Sequence, residues 1–411
     1  MRIGRVAALL LPSTATPDAT RLIAARTTRA FADGLVSVLL PAYLSALGYT
    51  AVQIGGIVTA TLLGSAAFTL GIGILAHRWP ARALLLGACA LMLGTGLGFA
   101  AVRDLLPLVV LAFVGTLNPT AGDVSVFLPL EQSLLASQVQ PEDRAALYAR
   151  SNVAAAASAS LGALASAFPE PLARATGLPL ADAMRFAFLV YASAAISAAF
   201  LYAGLRSVGP TTADTPRVPL ARSRGIVLRL SALFTLDSFG GGFVVQSILA
   251  LWLFQRFSFS LGDAAGFFFA ATLLSGVSQL LSPLLARRIG LVPTMAFTHI
   301  PANLFLVIAP FMPTAPLAVA FLLLRMTLSS MDVPARQAFV MSIVPPEERA
   351  AAASVTNVPR SLGGGLAPLL SGGLLAASSF GWPLVIGGTL KIIYDLLLLR
   401  GYGQHVASRP S

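Results

Sequence analysis

Runs of about 20 consecutive apolar residues recur along this chain, as in "AVQIGGIVTATLLGSAAFTLGIGIL" from Ala51. Such a run crosses the roughly 30 Å hydrocarbon layer of a bilayer as a helix, whereas a barrel strand needs only about ten residues of alternating polarity. In lipid every backbone N–H and C=O must find a partner within the protein, so only helices and closed barrels can span. The run length selects helices. The expected fold class is therefore all-α integral membrane, with about twelve transmembrane helices. They read as 27–47, 52–76, 83–101, 106–137, 146–168, 184–205, 227–253, 264–286, 292–311, 317–343, 350–375 and 383–400. Composition agrees: 10% of residues are charged, against about 25% in a soluble domain.

The net charge of +11 would suit nucleic acid if it were gathered in one patch. It is instead distributed by topology. If the chain starts inside, Arg78, Arg82, Arg144, Arg206, Arg222, Arg287, Arg288 and Arg349 fall in cytoplasmic segments. The outer loops hold only Arg103, Arg174, Arg185 and Arg256. This positive-inside bias places both termini in the cytoplasm of a multi-pass protein of the plasma (inner) membrane, with the lipid bilayer rather than nucleic acid as its partner. The single cysteine, Cys89, leaves no disulfide and no cysteine-based metal site. "MRIGRVAALLLPSTATPDAT" has an apolar core too short for a signal peptide, and residues 1–25 read as a cytoplasmic tail.

The chain repeats itself. "PLEQSLLASQVQPEDR" from Pro129 is answered by "PARQAFVMSIVPPEER" from Pro334, an offset of 205 that aligns Gln132 with Gln337 and Arg144 with Arg349. "ATLLGS" from Ala60 matches "ATLLSG" from Ala271, and Asp33 in span one matches Asp237 in span seven. Two six-helix bundles follow, at 26–206 and 226–402. They flank a polar, proline-rich cytoplasmic linker at 207–225, and a short tail occupies 403–411. An even number of spans per half gives both the same orientation.

This organisation resembles the major facilitator superfamily over nearly the whole chain. The family's loop between spans two and three often reads G-x-L-x-D-R-x-G-R-[RK]; here "GILAHRWPAR" keeps Gly73, Leu75, Arg78 and Arg82 but has His77 at the acidic position. The second copy, "LLARRIG", has Arg287 there. The glycine-proline signature of many antiporters is missing from "NVAAAASASLGALASAF" in span five. The resemblance implies two pseudo-symmetric bundles around a central cavity lined by spans one, four, seven and ten.

Charges inside lipid are costly, and they mark functional positions. They are Asp33, Asp123, Glu131, Asp237, Arg325, Asp332, Arg336, Arg360, Lys391 and Asp395. All but Arg360, Lys391 and Asp395 fall on the four helices that the resemblance makes cavity-lining. Arg325, Asp332 and Arg336 share one face of span ten, being seven and four residues apart. Asp33, Asp123, Asp237, Arg325 and Asp332 are the candidate substrate and proton pathway. Asp237 and Asp123 have no charged neighbour in sequence and are the preferred proton carriers. Asp33 has Arg29 one turn before it. Glu131 and Arg336 are repeat-equivalent and form a candidate cytoplasmic gating pair, while Asp332 and Arg336 can equally neutralise each other one turn apart. Arg29, Arg360, Lys391 and Asp395 are supporting charges, the last two read as a local pair.

No enzyme constellation appears. His77, His299 and His405 are far apart, and with Lys391 the sole lysine there is no phosphate-binding G-x-x-x-x-G-K-[ST] loop. No cofactor is expected. The leading reading is a monomeric secondary transporter that moves a small organic solute by alternating access, coupled to protons and operating as an efflux antiporter. An importer or facilitator on the same scaffold is the alternative, and a non-transporting receptor a distant third. The acidic lining favours protons with cationic or neutral solutes, although the two arginines leave a carboxylate-bearing one open.

Overall fold

The structure is a computed structural model, and it describes residues 15–75, 79–120, 126–140, 143–206, 222–345 and 348–403. Among the described residues there are sixteen α-helices and no strand. They are α1 (Pro17–Ala46), α2 (Ala51–Leu75), α3 (Ala81–Ala101), α4 (Leu105–Val114), α5 (Leu128–Ala136), α6 (Arg144–Ala165), α7 (Pro169–Thr176) and α8 (Leu180–Ala203). Then follow α9 (Arg224–Gly242), α10 (Gln246–Phe257), α11 (Leu261–Ile289), α12 (Leu291–Ile308), α13 (Ala315–Met326), α14 (Asp332–Ile343), α15 (Arg349–Ala377) and α16 (Trp382–Tyr402). The all-helical membrane fold expected from the apolar runs is the fold observed.

Three spans drawn as continuous from the sequence are interrupted. Span four divides into α4 and α5, span seven into α9 and α10, and span ten into α13 and α14. The causes are local. Gly115 is extended after α4, and Pro119 follows. Gly240 to Gly242 end α9, where helix propensity is poorest. In span ten the Thr327 hydroxyl donates to the Leu324 carbonyl at 2.7 Å, and Pro334 has no N–H for the preceding turn. Under the repeat, α5 and α14 begin within one residue of each other. At the other end of the chain, α1 starts at Pro17, inside the stretch read as a tail. Asp18 holds this extension, accepting from Arg21 at 2.7 Å and from the Arg206 N–H at 2.9 Å.

The chain forms two compact units. Unit 1 comprises Met1–Tyr49, Ala60–Ala213 and Ser260–Phe269; unit 2 comprises Thr50–Thr59, Asp214–Phe259 and Ala270–Ser411. Within unit 1, α1 packs on α6 and α8, and α3 on α8. Within unit 2, α9 packs on α15 and α16, and α12 on α16. These are the same three pairings in terms of spans: first on fifth, first on sixth, third on sixth. Glycine permits the closest of them. A Cβ on Gly162 would lie 1.9 Å from the Phe31 carbonyl oxygen, and one on Gly242 would lie 2.2 Å from that of Gly364. Small residues let apolar helices approach where lipid supplies no hydrophobic drive for association.

Candidate functional site

In unit 1 the first, fourth and sixth spans converge on one cation. Arg29 of α1 is 5% exposed, and Glu131 of α5 is 3% exposed. The Arg29 Nη2 lies 2.6 Å from Glu131 Oε2. Tyr202 of α8 donates its hydroxyl to the other Glu131 oxygen and accepts from Arg29 Nε at 3.2 Å. The guanidinium carbon lies 3.8 Å from the centre of the Phe127 ring. Both Glu131 oxygens are thus bonded, and the cation is stacked, which is how a buried ion pair offsets its lost hydration.

Asp33 stands one turn along α1 and is buried. Its hydrogen bond comes from Asn118 Nδ2 at 3.5 Å, a long contact. Asn118 is itself fixed in the span-four interruption, since its Oδ1 accepts from the Thr120 N–H at 3.1 Å and the Thr120 hydroxyl at 2.7 Å. Arg29 therefore bonds Glu131 rather than its sequence neighbour. Among the described residues, Asp33 makes no ion pair.

In unit 2 four charges form a chain. Lys391 Nζ of α16 lies 2.5 Å from Asp237 Oδ1 of α9. Arg336 Nη1 of α14 lies 3.2 Å from Asp237 Oδ2 and 3.0 Å from Asp332 Oδ2. The Asp332–Arg336 contact expected from one-turn spacing is made. Asp237, which has no charged neighbour along its own helix, meets a cation from another span at each oxygen. The local Lys391–Asp395 pair is corrected. Lys391 reaches α9, while Asp395, fully buried, is held by His299 Nδ1 of α12 at 3.0 and 3.1 Å and by Asn303 Nδ2 at 3.4 Å. Arg325 lies in the last turn of α13, half-buried.

The remaining candidates are dispersed. Asp123, His77 and Arg78 lie outside the described residues. Gly73 is near the end of α2, Arg82 is exposed at the start of α3, and Arg360 is half-buried in α15 after Pro359. Glu131 lies in unit 1 and Arg336 in unit 2, each with ion-pair partners in its own unit. Sequence reasoning missed Tyr202, Asn118 and His299. A signal existed for the last: His299 and Asn303, one turn apart, form a polar edge on an otherwise apolar helix. Among the described residues, no group of three or more His, Cys, Asp or Glu could hold a metal ion. What these networks offer chemically is proton exchange and the recognition of charge within a low-dielectric interior.

Residues 22–368 match the family model described as Major Facilitator Superfamily. An uncharacterized membrane protein of Saccharomyces cerevisiae is 25% identical over 406 residues, covering 90% of each chain. Among solved structures, a D-xylose–proton symporter is similar with a TM-score of 0.74 at 15% identity, covering 92% of this chain and 97% of that one. The human organic anion transporter MFSD10 (TETRAN) has a TM-score of 0.63 at 17% identity, covering 93% of this chain and 100% of that one. At these identities the structural likeness speaks for the fold.

Proposed function

The chain belongs to the major facilitator superfamily, and from that premise we propose that this multi-pass membrane transporter carries a small organic solute by alternating access with coupling to protons. It works as a monomer in the plasma (inner) membrane with both termini cytoplasmic. The arginine distribution supports that orientation. The observation that carries the coupling is in unit 1, where Arg29 is bonded to Glu131 and the buried Asp33, one turn away, makes no ion pair among the described residues. Asp33 is left as the group that takes up and releases the proton. This moves the proton-carrier role away from Asp237, whose oxygens are both held by cations. The likeness of the fold to a D-xylose–proton symporter is compatible with such coupling.

Efflux in exchange for protons is the proposed direction. Import on the same scaffold is the second reading, favoured by one observation: span five lacks the glycine-proline signature of many antiporters in the family. Glu131 and Arg336 keep the gating role in this proposal, each releasing its own-unit partner during the cycle.

The test uses the purified protein in proteoliposomes with an internal pH dye and a panel of anionic, neutral and cationic organic solutes. Solute-dependent proton movement is expected in the wild type, and its sign gives the direction. Asp33→Asn should abolish that proton movement while solute counterflow persists. Solute flux with no pH response would overturn the coupling, and full proton movement in the variant would remove Asp33 from the role.

A further inference from the structure

Unit 2 contains a cation that forms no salt bridge with its described acids. Asp237 is held by Lys391 and Arg336, Asp332 by Arg336, and Asp395 by His299. Arg325 forms no ion pair among the described residues, and its Nε is buried without a hydrogen-bond partner. Its Nη1 contacts only the Met326 sulfur, at 3.5 Å, and a thioether is a weak acceptor. A guanidinium in this state, half-buried within a membrane-spanning segment, makes no direct salt bridge among the described residues.

A second unpartnered donor flanks the same place. Arg325 immediately precedes the interruption between α13 and α14. Ser275, Ser278 and Ser282 of α11 share one helix face by their spacing of three and four. The Ser275 hydroxyl meets that of Ser330 inside the interruption, and the Ser282 hydroxyl donates to the Met331 carbonyl at 2.6 Å. Ser278, between them on that face, is 2% exposed and its hydroxyl has no partner. Among the described residues, the interruption is therefore bordered by two buried donors without a hydrogen-bond partner, the Arg325 Nε and the Ser278 hydroxyl. The repeat-equivalent position in unit 1 is Thr120, so this cation is particular to the second unit.

We infer that Arg325 binds an anionic group on the transported solute, and that the solute class is organic carboxylates. The planar guanidinium edge, with its in-plane N–H groups, matches a carboxylate in geometry and charge, whereas an amide or alcohol offers no counter-charge. Ser278 of α11 supplies an additional donor beside the interruption. The inference rests on the transporter reading and narrows it: the unit-2 acids first counted as lining charge, Asp237 and Asp332, are taken up by partners, and Arg325 is what remains there for the solute.

The test uses the full-length protein in lipid nanodiscs, with aromatic and aliphatic monocarboxylates (benzoate, 1-naphthoate, hexanoate, octanoate) and their matched amides. The expected result is that at least one acid raises the melting temperature and its amide does not. Arg325→Gln should weaken binding of that acid on the order of tenfold or more. Arg325→Lys, which keeps the charge without the planar edge, should fall between. Unchanged melting of both variants without ligand separates lost recognition from lost folding, and the lysine variant carries the test if the glutamine variant misfolds. Equal binding of acid and amide, retained affinity in Arg325→Gln, or no binding by any acid would overturn the inference. Proteoliposome flux separates the two readings. If neutral or cationic solutes move equally through wild type and Arg325→Gln, the anion inference fails and the transporter reading stands. If no solute of any charge moves, the transporter reading fails.

Discussion

Unit 1 and unit 2 share one helix topology and reverse its electrostatics. In unit 1 the first span supplies the cation, Arg29, and the fourth supplies the acid, Glu131. In unit 2 the first span supplies the acid, Asp237, and the fourth supplies the cation, Arg336. The third participant differs as well. Unit 1 uses the neutral Tyr202 of its sixth span; unit 2 uses Lys391 of its sixth span. Beside each network, among the described residues, stands a charge that makes no ion pair, and the signs are opposite: Asp33 in unit 1 and Arg325 in unit 2. The lesson is that both units tie the first span to the fourth by an ion pair, with opposite polarity. These two residues carry the proposals made above, Asp33 for the proton and Arg325 for the anionic group.

The comparison breaks most visibly if Arg29 proves dispensable. Glu131 has no other cation among the described residues, so Arg29→Met should cost about 3–5 kcal/mol of stability, the usual consequence of orphaning a buried charge. Thermal unfolding of the purified protein followed by fluorescence-detected gel filtration reads this. Lys391→Met is expected to be milder, about 1.5–3 kcal/mol, the scale of one hydrogen bond to a charged group, because Asp237 retains Arg336 at 3.2 Å. Equal losses in the two variants would mean that the redundancy of unit 2 has no energetic content.

A charge swap sharpens the claim about polarity. The double variant Arg29→Glu, Glu131→Arg recreates in unit 1 the order found in unit 2. It should melt within about 1–2 kcal/mol of wild type, well above either single variant, with a coupling energy that a double-mutant cycle measures. If the double variant is no better than its singles, polarity is fixed by surroundings beyond the pair. The smallest stability effect belongs to Asp33→Asn, less than about 1 kcal/mol, since the amide can keep a hydrogen bond with Asn118 and no cation loses a partner. Its signature is functional instead: proton movement is lost from an otherwise well-folded protein.

Much of this was legible in the sequence, and the part that was not follows a pattern. The apolar runs, the offset of 205 and the placement of buried charge on spans one, four, seven and ten needed only local reading. One-turn spacing found the Asp332–Arg336 contact, which is made at 3.0 Å. The same rule suggested Arg29 with Asp33 and Lys391 with Asp395, yet in both cases the cation bonds a carboxylate on another span. Long cationic side chains reach across a helix contact of about 8–10 Å as readily as along one turn. A helix that offers a neighbour at i+4 does not oblige the side chain to use it.

The sequence by itself determined that this chain is a helical membrane protein of two related halves, because lipid leaves unpaired backbone groups no other structure and a tandem repeat is visible as self-similarity. Tertiary structure alone decided which charges cancel and which remain. That depends on how each helix is rotated about its axis and on which spans lie side by side, and neither is encoded in spacing along one helix. Asp33 and Arg325 differ from Glu131, Asp237, Asp332 and Arg336 in making no ion pair among the described residues, which no local stretch of sequence reveals.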